Sequence, residues 1–119
     1  MSLKTIRLEL ARSHEFPEGS DRHGYVLKAP LTRAGQLDAD AWKKQKELCS
    51  VRRFWGGAEE RGSLIRTGGH RWAFSYVPER AEDDEPIFRL ERHRFAPGEY
   101  VSITEHDGIQ RTFRVASVA

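Results

Sequence analysis

A chain of 119 residues, 38% hydrophobic and 32% charged, is long enough to build one hydrophobic core and too short for two, and its twelve aromatic residues are too many for a disordered segment. The net charge of +2 supplies no global field that would by itself imply nucleic acid or anionic lipid. A single cysteine, Cys49, excludes an internal disulfide and a multi-thiolate zinc site, so a reducing compartment is expected.

Residues 5–11 alternate strictly, with Ile6, Leu8 and Leu10 on one side and Arg7 and Glu9 on the other, which is the period of a half-buried strand. This stretch lacks the apolar run of a signal peptide, and nothing later reaches the length of a membrane span; a cytoplasmic protein with no membrane partner is expected. Residues 13–23 carry Pro17, Gly19, Ser20 and Asp21 and read as turn chemistry, followed by a short strand over 24–28. Asp38 is placed to cap a helix that has Asp40 in its first turn and Lys43, Lys44 and Lys46 after it, an order that suits the helix dipole through about Leu48. Trp42, Leu48 and Cys49 would cover a core edge while the lysines face water.

Residues 49–55 read as a strand and 56–62 as a loop. Strands over 64–67 and 70–77 flank Gly68 and Gly69, and a two-residue turn there would set Ile65 opposite Trp72. Pro78 ends the second of these strands. The acidic run of Glu82, Asp83, Asp84 and Glu85 reads as a mobile loop closed by Pro86, with a short strand over 87–90. Near the C-terminus a two-residue turn at Asp107 and Gly108 would split Ile103 from Phe113. A three-residue loop over 106–108, with Gly108 left-handed, instead puts Val101, Ile103, Phe113 and Val115 on one face, and this is the register expected. About seven short strands and one short helix predict a mainly β (α+β) single domain over residues 1–119, a small barrel or rolled antiparallel sheet.

Three segments carry a resemblance: Glu15, Phe16, Pro17, Glu18, Gly19 and Ser20; VRRFWGG over 51–57; and PGEYVSI over 97–103. Together they resemble a small family of uncharacterised bacterial proteins across nearly the whole chain. The resemblance implies no activity and carries no functional residue.

Four kinds of chemistry can be weighed. His14, Glu15, Glu18, Asp21 and His23 lie within ten residues and include metal-ligating types, but no pair has the His-x-x-x-His spacing of a helix, and surface loops ordinarily contain such residues. No metal is expected. Cys49 as a nucleophile would need a depressed pKa and a positioned base, and a lone cysteine between a helix and a strand is more often a small core residue. Gly56-Gly57 and Gly68-Gly69 lack the Lys-Ser/Thr ending of a phosphate loop, so no nucleotide cofactor, and no other cofactor, is implied.

The fourth is a basic, aromatic surface. Residues 1–78 hold 14 basic and 9 acidic side chains, a local excess of +5, whereas 79–119 hold 6 and 9. Arg52, Arg53 and Trp55 lie on one strand and His70, Arg71 and Trp72 on another, with Trp72, Phe74 and Tyr76 sharing a face. Small sheets stack bases on such ladders and hold phosphates with arginine. A three-aromatic ladder in a domain of this size is more often its core, and one of Arg52 and Arg53 must point away from the other. The leading expectation is a non-enzymatic binding module for nucleic acid, another anionic ligand or a protein partner, with Arg52, Arg53, Trp55, His70, Arg71 and Trp72 as binding residues. The alternative is a small enzyme or ligand-binding barrel using His14 and His23, with or without a metal.

Overall fold

Alternating apolar side chains and glycine-punctuated turns produce eight antiparallel strands in chain order: β1 (Leu3–Leu10), β2 (Ser20–Pro30), β3 (Ser50–Trp55), β4 (Ala58–Gly68), β5 (Arg71–Ser75), β6 (Glu85–Ile87), β7 (Tyr100–Thr104) and β8 (Gln110–Val118). The computed structural model describes residues 3–68, 71–76, 85–87, 94–105 and 107–119. Each strand pairs with the next, and β8 returns to pair with β1, so the sheet curls into a barrel. Among the described residues, β6 and β7 are joined through the pair Ile87 and Ile103.

A barrel of eight strands is only wide enough inside for side chains to fill it. Ile6, Leu8, Tyr25, Leu27, Val51, Leu64, Phe74, Val101, Ile103 and Phe113 do so, all essentially inaccessible to solvent. One end is plugged by α1 (Ala39–Gln45) and the 3-10 turn that follows it, Lys46–Leu48. Asp38 caps α1, accepting a hydrogen bond from the Ala41 amide at 3.0 Å. Trp42 donates its indole N–H to the Leu64 carbonyl at 3.0 Å and meets Trp72 edge to face at 5.3 Å. Cys49 is buried, but Leu48 is 55% exposed rather than covering the core, because the last turn tightens to 3-10 geometry and swings it outward.

The C-terminal hairpin has the three-residue loop that its apolar pattern requires. The Gly108 amide donates to the Glu105 carbonyl at 2.9 Å, the Glu105 amide donates to the Ile109 carbonyl at 3.0 Å, and Gly108 has φ +80°. Val101 therefore faces Phe113, and both are buried.

Two expectations are corrected. The stretch 56–62 is not a loop: Gly56 and Gly57 alone make the turn, with φ of 58° and 101°, and β4 starts at Ala58. The β4–β5 register is shifted by one residue, because a bulge between Arg66 and Gly68 sets Arg66, not Ile65, opposite Trp72. Leu64 then takes the core position across from Phe74, while Ile65 turns away from the barrel interior. Of the short strand expected over 87–90, residue 87 lies in β6; positions 88–90, Pro78, and 82–84 of the acidic run lie outside the described residues. No helix among the described residues is long and apolar enough to cross a membrane.

Candidate functional site

Side-chain alternation along β3 decides where the sequence-predicted site residues go. Arg53 and Trp55 point into the barrel mouth opposite α1, whereas Arg52 and Phe54 lie on the outer wall. Trp72 and Phe74 are core, at 2% and 1% exposure, and half-buried Tyr76 packs against that core. Of Arg71 only the backbone, in β5, is described, and His70 lies outside the described residues. Arg52, Arg53, Trp55 and Trp72 therefore do not share one surface.

The mouth is a charged and aromatic plug. Glu105, buried, accepts hydrogen bonds from the Tyr25 hydroxyl at 2.7 Å, Arg53 Nε at 3.1 Å and Arg111 Nη1 at 2.9 Å. Arg111 reaches on to Glu15 at 3.0 Å and to Asp107 at 3.0 Å, tying the β1–β2 loop to the β7–β8 turn. Its hydrogen bonds to Glu15, opposed by burial and reinforced by Asp107 and Glu105, hold it firmly protonated. Burial works against the Arg53 charge, but Glu105 and Tyr25 more than offset it and raise its pKa. The Arg53 guanidinium lies 4.2 Å from the centre of the Trp55 ring. His23 packs at a tilt against Phe16 at 4.6 Å and edge to face against Trp55 at 4.5 Å, with Nδ1 2.7 Å from the Ser20 hydroxyl. Burial first, then Arg53, lowers the His23 pKa against a smaller pull from Glu105, so the ring is neutral at pH 7. Most of these groups are spent on one another, and the result is a closure for the barrel.

The candidates for enzymatic chemistry are dispersed. His14 is exposed, Glu15 is engaged by Arg111, and among the described residues no three His, Cys, Asp or Glu side chains converge closely enough to hold a metal ion. Burial, and then Glu47, raises the Cys49 pKa, the opposite of what a thiolate nucleophile needs, and its Sγ sits 3.4 Å from the Gln45 carbonyl oxygen.

The outer wall of β2, β3 and β4 is different. Arg52 stands directly opposite Arg61 across the β3–β4 pair, and a shallow depression of about 250 Å³ is lined by both, with Lys28 and Ser50, and by no carboxylate. Arg52 reaches sideways to Glu59 at 2.6 Å. Lys28 and Arg61 are exposed and have no ion-pair partner among the described residues. Beside this depression is a second one of about 440 Å³, formed by Phe54, Ala58, the Gly56-Gly57 turn, Arg22 and Glu59. Phe54 lies across Gly24 of β2, where an added Cβ would come within 3.0 Å of the ring, and Arg7 packs 4.5 Å from the ring centre. A larger groove, about 950 Å³, runs between the 18–22 segment and the outer faces of β1 and β8. Its three arginines, Arg12, Arg22 and Arg114, are matched by Glu9, Glu18 and Asp21, so it favours neither sign of ligand.

Among the described residues, Arg52 is the one predicted binding residue on this wall. Of its partners there, Arg61 was hidden by the loop expected over 56–62, since extending β4 back to Ala58 sets Arg61 opposite Arg52, while Lys28 lies in an expected strand whose pairing with β3 the sequence did not show. No protein-family model, curated protein or solved structure matches the chain.

Proposed function

We propose that the protein is a non-enzymatic binding module of the cytoplasm that holds an anionic ligand on the outer wall of β2, β3 and β4. The observation that carries this reading is the Arg52–Arg61 pair with Lys28 beside it. Like charges set directly opposite on a sheet repel and destabilise it by a fraction of a kcal/mol, about 0.2–1. Here two arginines and a lysine converge on a depression with no lining carboxylate; Glu59 takes Arg52 from the side, but Lys28 and Arg61 have no ion-pair partner among the described residues, so a bound anion would relieve the repulsion. Guanidinium groups grip phosphate or carboxylate oxygens in pairs, with Ser50 as a further donor. The enzyme reading has weaker support: His14 is exposed, the Ser20 hydroxyl 2.7 Å from His23 is the one nucleophile type either histidine meets among the described residues, and neither joins a metal-holding set there.

Titration of isotope-labelled protein with inorganic polyphosphate at low salt, followed by amide chemical shifts, tests the reading. Shifts should concentrate on residues 26–28, 50–54 and 59–63 and collapse in Lys28→Glu with Arg61→Glu, both exposed positions that leave the core intact. Absence of binding, or shifts elsewhere that survive the double substitution, would overturn it.

A further inference from the structure

We infer that the anion is a phosphate of single-stranded nucleic acid, and that the depression beside the cationic one receives the unpaired base; this rests on the binding-module reading above. The two depressions differ in chemistry. The first offers Lys28, Arg52, Arg61 and a hydroxyl, which is a phosphate site. The second has an apolar floor, the Phe54 ring with Ala58 and the side-chain-free Gly56-Gly57 turn, and two polar groups on its rim, Arg22 and Glu59. An apolar floor with one cation and one carboxylate at the edge suits the face of a base, and Glu59, whose Oε1 accepts from Arg52 at 2.6 Å, has its second oxygen to accept from a ring or exocyclic N–H.

Their spacing matches one nucleotide. Arg52 and Phe54 are two residues apart on the same face of β3, about 7 Å along the strand, a distance that one sugar bridges between a phosphate and its base. A duplex cannot supply both groups here, because its bases are stacked and their edges lie at the bottom of grooves, whereas the barrel wall is convex and meets only the backbone. A free mononucleotide would make one set of contacts on an open surface. A strand repeats phosphate and base, so its neighbouring phosphates also meet Arg22 at one end of the wall and Lys28 at the other, and affinity rises with length.

The test measures binding of a labelled mixed-sequence single-stranded 12-mer, as RNA and as DNA, beside its duplex, a mononucleotide and inorganic polyphosphate. Either single strand should bind more tightly than the duplex and far more tightly than the mononucleotide. Its log–log salt slope should be about −2 for three phosphates, and Arg61→Ala should flatten it by about 0.7. Phe54→Ala should weaken the single strand about five-fold or more with the slope retained, and leave polyphosphate binding unchanged. Ala58→Leu, at an exposed position that fills the second depression without touching the core, should do the same if Phe54→Ala disturbs folding. Equal effects of these substitutions on strand and polyphosphate, or equal binding of duplex or mononucleotide, would overturn the nucleic-acid inference and leave the anion site standing. Failure of both strand and polyphosphate to bind would remove both.

Discussion

Glu105→Ala should be among the most damaging single substitutions in the molecule, and its cost can be worked from the geometry of the mouth. The carboxylate is 1% exposed and accepts from three donors on three strands, Tyr25 of β2, Arg53 of β3 and Arg111 of β8. Removing one partner of a buried ion pair costs about 3–5 kcal/mol, because the charge left behind has lost its water as well as its counter-ion. Two features hold the figure to the low end. Arg111 keeps Glu15 and Asp107, and Arg53 keeps Glu60 at 3.5 Å and the Trp55 face. The stranded Tyr25 hydroxyl, in a fully buried residue, adds about 1 kcal/mol. The sum is about 4 kcal/mol, a large share of the 5–15 kcal/mol by which domains are ordinarily stable. With an m-value of about 2 kcal/mol/M, the urea midpoint should fall by about 2 M. Glu105→Gln, which keeps the shape and loses the charge, should cost less than Glu105→Ala. A midpoint shift under 0.5 M (about 1 kcal/mol) in Glu105→Ala would refute the account, since it would mean that water or rearranged side chains replace the carboxylate freely.

Three further outcomes follow from named positions. Gly24→Ala should cost more than about 2 kcal/mol in chemical unfolding, because a Cβ there would lie 1.9 Å from the Leu8 carbonyl oxygen and 3.0 Å from Phe54, so backbone has to move; a wild-type midpoint would contradict this close approach. A Cβ at Gly108 would meet no neighbour within 4 Å, so the strain of φ +80° dominates in Gly108→Val and a loss of about 1–2 kcal/mol is expected, with Gly108→Asn nearer wild type. Because His23 has a folded pKa below its unfolded value, its contribution to stability is complete above the unfolded pKa of about 6.5 and is lost as pH falls from there through the folded pKa. Thermal melts between pH 7.5 and 5.5 should therefore show declining stability that His23→Gln flattens, and identical pH profiles for the two proteins would show that the ring is not held neutral.

Short-range pattern was enough to read much of this protein. Alternation in residues 5–11 marked the inward row Ile6, Leu8 and Leu10, Asp38 announced the start of α1, and the apolar faces of the last hairpin selected a three-residue loop over the two-residue turn that Asp107-Gly108 suggests. These readings succeeded because strand faces, caps and turns obey rules set within a few residues. The bulge at Arg66 escaped the same reasoning, since a bulge adds one residue to a strand without any signature except the partner it serves.

The candidate site depended on longer range. Arg53 and Trp55 belong to the sealed mouth because Glu105 and Arg111, fifty or more residues away in sequence, arrive there just after β7 and on β8. Arg52, their neighbour on β3, faces outward onto Lys28 and Arg61 from two other strands. Composition and alternation determined that arginines and aromatic rings would line both sides of a small sheet. Which of them meet one another was decided only by closure of the barrel, because cross-strand register converts residues distant in sequence into neighbours about 5 Å apart.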